Sequence, residues 1–123
     1  MKKEQHVLIV EDELYSFLYL KELLLKRNIR ISRVNNGEDA VQFIINNNDI
    51  DIILMDIKLP NMNGLDVIKC IRKRGFNIPI IVQTACAFDI DKNRAIESGC
   101  NDFITKPINC KELLFLVRKY IEI

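Results

Sequence analysis

The sequence predicts an α/β fold, a doubly wound parallel sheet with helices on both faces, and three observations predict it. Short apolar runs alternate with helix-length segments five times along the chain. Most of the runs are continuous blocks of Val, Ile and Leu, the composition of strands covered on both faces. The chain has 123 residues, 49% apolar and 28% charged, enough for one compact domain with its own core. Strict β-α alternation needs crossover connections, which are right-handed, so few strand orders remain.

The elements follow in order. Residues 7–10, VLIV, form a first strand stopped by acid. Over 13–28, Leu14, Phe17, Leu20 and Leu24 recur near the helical period, and Lys26, Arg27 and Asn28 close the helix. IRISRV, 29–34, is a more polar strand that suits an edge. Asn36 caps the next helix, with Ala40, Val41 and Ile44 on one face. IDIILMD, 50–56, is the third strand. The helix over 65–75 turns Leu65, Ile68 and Ile71 inward. Arg72, Lys73 and Arg74 read as its solvated basic end, before Gly75.

IPIIVQT, 78–84, is the fourth strand. The helix over 89–99 has little apolar face, with Ala95 and Ile96 nearly its only inward candidates, and Gly99 ends it. DFITKP, 102–107, is the fifth strand. Asn109 caps the last helix, and Glu112 three residues later makes a capping box. Leu113, Leu116, Val117, Tyr120 and Ile121 then fit one helical face.

Composition excludes several function classes. A net charge of +1 without a basic stripe argues against direct nucleic-acid binding. No apolar run approaches the ~20 residues that span a bilayer, and the first residues meet acid too soon for a signal peptide. A cytoplasmic protein is expected. Cys70, Cys86, Cys100 and Cys110 form no C-x-x-C pair and lie far in sequence from the lone His6, so a zinc site is not expected. Reduced, mostly buried cysteines and a surface His6 without a role are the expectation. Asn61, Asn63 and Gly64 read as turn chemistry, with Gly64 taking a positive φ.

Parallel strands gather the residues at their carboxyl ends on one rim, where ligands bind in such sheets. The first strand brings Glu11 and Asp12, the third Asp56, the fourth Thr84 beside small Ala85, and the fifth Lys106 before Pro107. Taken singly, the acids could be helix caps, Thr84 a strand residue and Lys106 a surface charge. Together they make three carboxylates, a hydroxyl and an ammonium. Clustered carboxylates repel unless a cation joins them, and an all-oxygen set with room for water suits magnesium. A metal, an ammonium and a hydroxyl equip a site for a phosphoryl group. Asp56, alone on its strand, is the natural nucleophile.

Glu11-Asp12, Asp56 within MDIKLPNMNG, Thr84-Ala85 and Lys106-Pro107 closely resemble the receiver domain of two-component response regulators. The resemblance covers residues 1–123 as a single receiver, and TACAFDIDKNR and SGCNDFITKPI look most like receivers of hybrid sensor histidine kinases. It implies a flavodoxin-like five-stranded sheet in the order 2-1-3-4-5. It implies that Glu11, Asp12, Asp56 and the carbonyl of Lys58 hold magnesium. Asp56 would take a phosphoryl group from a phosphohistidine, with Thr84 and Lys106 contacting that group and Phe103 acting as a rotamer switch beside Thr84.

The implied partners are a histidine kinase or phosphotransfer domain and an unknown downstream protein, for a monomer or weak dimer. Such a chain is no enzyme beyond its own phosphorylation and dephosphorylation. This sequence departs from the family pattern at Glu11, where many members carry aspartate, and at Phe103, which lacks a tyrosine hydroxyl. Cys86 and Lys58 stand at positions that tune phosphate lifetime in the family.

Rival readings carry less. A flavin site would need a phosphate-cradling loop where Glu11-Asp12-Glu13 stands. A dehalogenase-type phosphatase would need a second acid where Lys58 stands. A receiver-like interaction module that works without phosphorylation would not need the acidic rim and Lys106.

Overall fold

A computed structural model describes residues 4–25, 27–85 and 89–123. The elements are β1 (Gln5–Val10), α1 (Leu14–Leu24), β2 (Ile29–Val34), α2 (Gly37–Asn46), β3 (Ile52–Asp56), α3 (Gly64–Lys73), β4 (Ile80–Thr84), α4 (Asp89–Ser98), β5 (Asp102–Thr105) and α5 (Cys110–Arg118). The strands form one parallel sheet in the order β2-β1-β3-β4-β5, the order expected, with polar β2 at the edge.

Strand alternation splits the core in two. Val7, Ile9, Ile52, Leu54, Ile81 and Ile104 face Leu20 and Leu24 of α1 and Leu113, Leu116 and Val117 of α5. Leu8, Val10, Ile53, Met55, Ile80 and Val82 face Ala40 and Ile44 of α2 and Val67, Ile68 and Ile71 of α3. Asn36 and Asn109 cap α2 and α5 as expected, their side chains accepting from the Asp39 and Glu112 amides.

Several elements are shorter than their sequence patterns. β4 starts at Ile80, after Pro79, which has no N–H for the ladder. β5 stops at Thr105, before Pro107. α5 ends at Arg118, yet Ile121 still packs into the core and Tyr120 lies against it. α1 ends at Leu24, and Lys26, expected in its closing turn, lies outside the described residues.

Other expectations are corrected. Leu14 opens α1 at 50% exposure, because the helix meets the sheet only from Phe17 onward. His6 is buried: β1 runs between β2 and β3, so its first turn of chain is covered too. Its Nε2 lies 2.7 Å from Ser32 Oγ and its Nδ1 3.1 Å from Asp49 Oδ1. Arg72 is no free helix end. Its guanidinium donates to the carbonyls of Gly99 and Phe76 and to Asn101 Oδ1, each at 2.9 Å. Lys73 and Arg74 are exposed, as expected.

Ile96 points outward at 59% exposure, leaving Ala95 as the buried apolar residue of α4 among those described. Leu65 is half-buried, and Val67 and Leu114 join the core instead. Cys70, Cys100 and Cys110 are free and half-buried rather than buried. Cys86 lies outside the described residues.

Candidate phosphoryl-transfer site

The rim at the carboxyl ends of the strands brings the expected residues together. Glu11 follows β1 directly and is fully buried; Asp12, one residue on, is exposed. Asp56 ends β3 and is 6% exposed. One oxygen from each of Glu11, Asp12 and Asp56 lies within 4.8 Å of the others. Lys106 completes the group: its Nζ stands 3.3 Å from Glu11 Oε1 and 3.3 Å from Asp56 Oδ2.

The backbone fixes each of these side chains. The Lys106 amide donates to the Thr84 carbonyl at 2.8 Å, which ties the segment after β5 to the end of β4. The Lys58 amide donates to Asp56 Oδ1 at 3.2 Å and orients the carboxylate. Arg33, on β2, donates to the carbonyls of Glu11 and Asp12 at 3.1 and 3.2 Å while its guanidinium lies over Phe17. Sequence reading missed Arg33, since only the β1–β2 register brings it beside the acid pair.

Gly64 has a different reason for being glycine than the one expected. The positive φ in this turn belongs to Asn61 (67°), whereas Gly64 is absent from that region. A Cβ at Gly64 would stand 2.1 Å from the carbonyl oxygen of Asp56. The amide of Gly64 donates to the Ile57 carbonyl at 2.8 Å, so the start of α3 lies flat against the strand that presents Asp56. Close approach, not turn conformation, excludes a side chain.

Burial first, then hydrogen bonding to and repulsion from Asp56, raises the Glu11 carboxyl from 4.5 to about 8, with Lys106 opposing. For Lys106, burial works to lower the pKa, but Asp56 and Glu11 outweigh it and the pKa is raised. Without a further cation, burial beside Asp56 therefore favours the protonated form of Glu11. Glu11 Oε2 is buried and has no hydrogen-bond partner among the described residues. An unpaired buried oxygen among carboxylates is a donor set that fits a hard divalent cation. Glu11, Asp12 and Asp56 could hold one here, with the Lys58 carbonyl the fourth group assigned by resemblance.

Thr84 is buried at the end of β4, beside the rim. Phe103 is half-buried against the α2–α3 side of the core, with Lys92 Nζ of α4 5.2 Å above its ring. Gln83, not anticipated from the sequence, is buried directly across from Asp56 in the β3–β4 register. A polar residue directly after the apolar run IPIIV was its visible signal.

The model of the response regulator receiver domain matches residues 7–118. The chain is 38% identical over 130 residues to Hybrid signal transduction histidine kinase I of Dictyostelium discoideum, covering 96% of this chain and 8% of the relative. It is 35% identical over 112 residues to the transcriptional regulatory protein DltR of Streptococcus agalactiae, covering 91% of this chain and 50% of the relative. The chain thus spans half or less of these curated relatives.

Among solved structures it is similar to the receiver domain of the sensor histidine kinase PA1611 of Pseudomonas aeruginosa. That match has a TM-score of 0.86 and 30% identity, over 96% of this chain and 98% of the other. The PA1611 receiver was solved with magnesium coordinated in its active-site cleft. The fold, the order of the rim residues and the match over residues 7–118 together show that this chain belongs to the response regulator receiver domain family.

Proposed function

We propose that this chain is a phosphoacceptor of a two-component phosphorelay, taking a phosphoryl group from a phosphohistidine onto Asp56. The observation that carries the reading is the meeting of three carboxylates with the Lys106 ammonium on one rim. A carboxylate oxygen of Asp56 attacks phosphorus, the donor's N–P bond breaks, and the imidazole nitrogen keeps the electron pair. The Lys58 amide holds Asp56 in place, and Lys106 follows the charge onto the phosphoryl oxygens. Glu11, Asp12, Asp56 and the Lys58 carbonyl would hold a magnesium ion, which when bound would supply charge neutralisation on the phosphoryl oxygens.

The Thr84 hydroxyl donates to the phosphoryl group, and the repacking that follows reaches Phe103 and changes the surface around α4, β5 and α5. The donor is a histidine kinase or phosphotransfer domain, and a downstream protein reads the changed surface. Residues 1–123 act as one receiver whose chemistry is its own phosphorylation and dephosphorylation, in the cytoplasm, as a monomer or weak dimer. Among the described residues no helix is long and apolar enough to cross a membrane.

Incubation with acetyl phosphate and magnesium, followed by intact mass, tests this reading. The wild type gains one phosphoryl group and Asp56→Asn gains none; equal gain in both overturns the assignment. A module that works without phosphorylation would gain none in either.

A further inference from the structure

Gln83 faces the same side of the sheet as Asp56, Glu11 and Lys106. Ile81, two residues before it, lies in the α1–α5 side of the core, as Leu54 does before Asp56 and Ile9 before Glu11. Gln83 is 1% exposed, and neither Oε1 nor Nε2 has a hydrogen-bond partner among the described residues. Burying an unpaired carboxamide carries a desolvation cost that an apolar residue of similar volume would not. At this position stability alone would favour leucine or methionine.

The same site holds a complementary donor. An ammonium has three N–H groups. Two of those of Lys106 are directed to Glu11 Oε1 and Asp56 Oδ2, each at 3.3 Å, long for charge-assisted bonds. Lys106 and Gln83 line one groove of about 360 Å³, walled by Tyr15, Tyr19, Pro107 and Ile108. An unused acceptor and an unused donor therefore share a mostly apolar groove next to the reacting carboxylate.

We propose that Gln83 is a positioning residue for phosphoryl transfer. Its Oε1 accepts the third N–H of Lys106, directly or through one water in the groove, and keeps the ammonium over Asp56 as the phosphoryl group arrives. This rests on the reading of Asp56 as phosphoacceptor and Lys106 as its electrostatic partner. Neither polar atom of Gln83 has a hydrogen-bond partner among the described residues, the reacting carboxylate included. Its contribution passes through Lys106, so removing its hydrogen bonding should matter only while Lys106 is present.

The experiment times phosphorylation by acetyl phosphate with magnesium in wild type, Gln83→Leu and Gln83→Met, each with Lys106 and with Lys106→Ala. Wild type and Asp56→Asn are compared first. If the wild type gains no phosphoryl group, the functional reading fails, separately from any result at Gln83. With Lys106 present, both Gln83 variants should react about tenfold slower, and in Lys106→Ala the same changes should cost less than about twofold.

Their denaturation midpoints should equal or exceed that of the wild type, the opposite sign to a purely structural role. An unchanged rate with Lys106 present, or an equal loss in both backgrounds, overturns the proposal. Where Lys106→Ala is too slow to time, the Lys106 Cε–Hε NMR resonance decides. A shift in Gln83→Leu supports the proposal, and an unmoved resonance overturns it.

Discussion

Helices α3 and α4 are neighbours of ten residues each, yet they are held in opposite ways. α3 buries Val67, Ile68 and Ile71 completely against the sheet, and Gly64 presses its first turn onto the Asp56 carbonyl. Among the described side chains of α4, only Ala95 and Ser98 are buried, and Ile96 faces solvent. Its carboxyl end is held instead by polar bonds, from Arg72 of α3 to the Gly99 carbonyl and to Asn101. Fully burying an aliphatic side chain contributes about 1.5–3 kcal/mol, so α3 is anchored by several such terms and α4, among its described side chains, by Ala95 alone. The well-buried helix borders Asp56; the other borders Phe103, through Lys92. Local opening is cheapest where apolar burial is small, which puts precision on one side of the rim and adaptability on the other.

The largest test of that contrast is truncation. Ile68→Ala in α3 should lower the unfolding free energy by about 2–5 kcal/mol, whereas Ile96→Ala in α4 should change it by less than about 0.5 kcal/mol. Urea titrations of the two variants measure both. Similar losses would mean that α4 is anchored as firmly as α3. The next test acts on the α3 contact itself. Gly64→Ala should cost about 1–3 kcal/mol, because the added carbon must push the Asp56 backbone away. It should also slow phosphorylation, since the same shift moves the nucleophile. Gly75, which has a positive φ of 90° and nothing near its missing side chain, is the control. Gly75→Ala should cost about 1 kcal/mol of backbone strain and leave phosphorylation intact.

The rim adds a pH dependence. The folded chain holds the Glu11 proton more tightly than the unfolded one, with its pKa raised from 4.5 to about 8. Between those values the folded state binds more protons, so stability falls as pH rises through this window. In metal-free buffer the thermal midpoint should drop from pH 5 to pH 8, and Glu11→Gln should flatten that drop. Magnesium should restore more of the midpoint at pH 8, where Glu11 gives up its proton readily, than at pH 5. A midpoint that rises with pH in the metal-free wild type would contradict the protonated Glu11.

The legible part of this molecule was whatever depends on order along the chain. Continuous Val-Ile-Leu runs announced buried strands, and the parallel arrangement then carried Glu11, Asp56, Thr84 and Lys106 to one rim. Asn36 and Asn109 were visible as caps because a cap bonds to residues three positions away. What stayed hidden depends on partners distant in sequence. His6 is covered by β2 and β3, which begin far along the chain at Ile29 and Ile52. Gly64 is explained by the Asp56 carbonyl, Arg33 by the loop after β1, and Arg72 by the turn after α4. Gln83 was overlooked for another reason: one polar residue in an apolar strand barely disturbs the pattern that identifies the strand.

The smallest expected effect is also the one that links the two helices. Thr84 stands at the end of β4, from which the chain leads to α4, and its carbonyl already holds the Lys106 amide. On the proposed reading, a phosphoryl group on Asp56 would offer its hydroxyl a charge-assisted acceptor, and an inward shift of Thr84 would open space toward Phe103. A ligand shifts such an equilibrium only by its differential interaction with the two states, so removing the hydroxyl should weaken the coupling more than the chemistry. Thr84→Ala should still be phosphorylated, within about tenfold of the wild-type rate for one lost hydrogen bond to a charged group. Amide exchange should then separate the two sides of the rim. With beryllofluoride and magnesium, wild-type α4 and β5 should change protection while α3 stays unchanged. In Thr84→Ala the α4 and β5 response should shrink toward zero. An identical response in the variant, or change in the wild type confined to residues 11, 12, 56 and 106, would show that the weak anchoring of α4 is not used for switching.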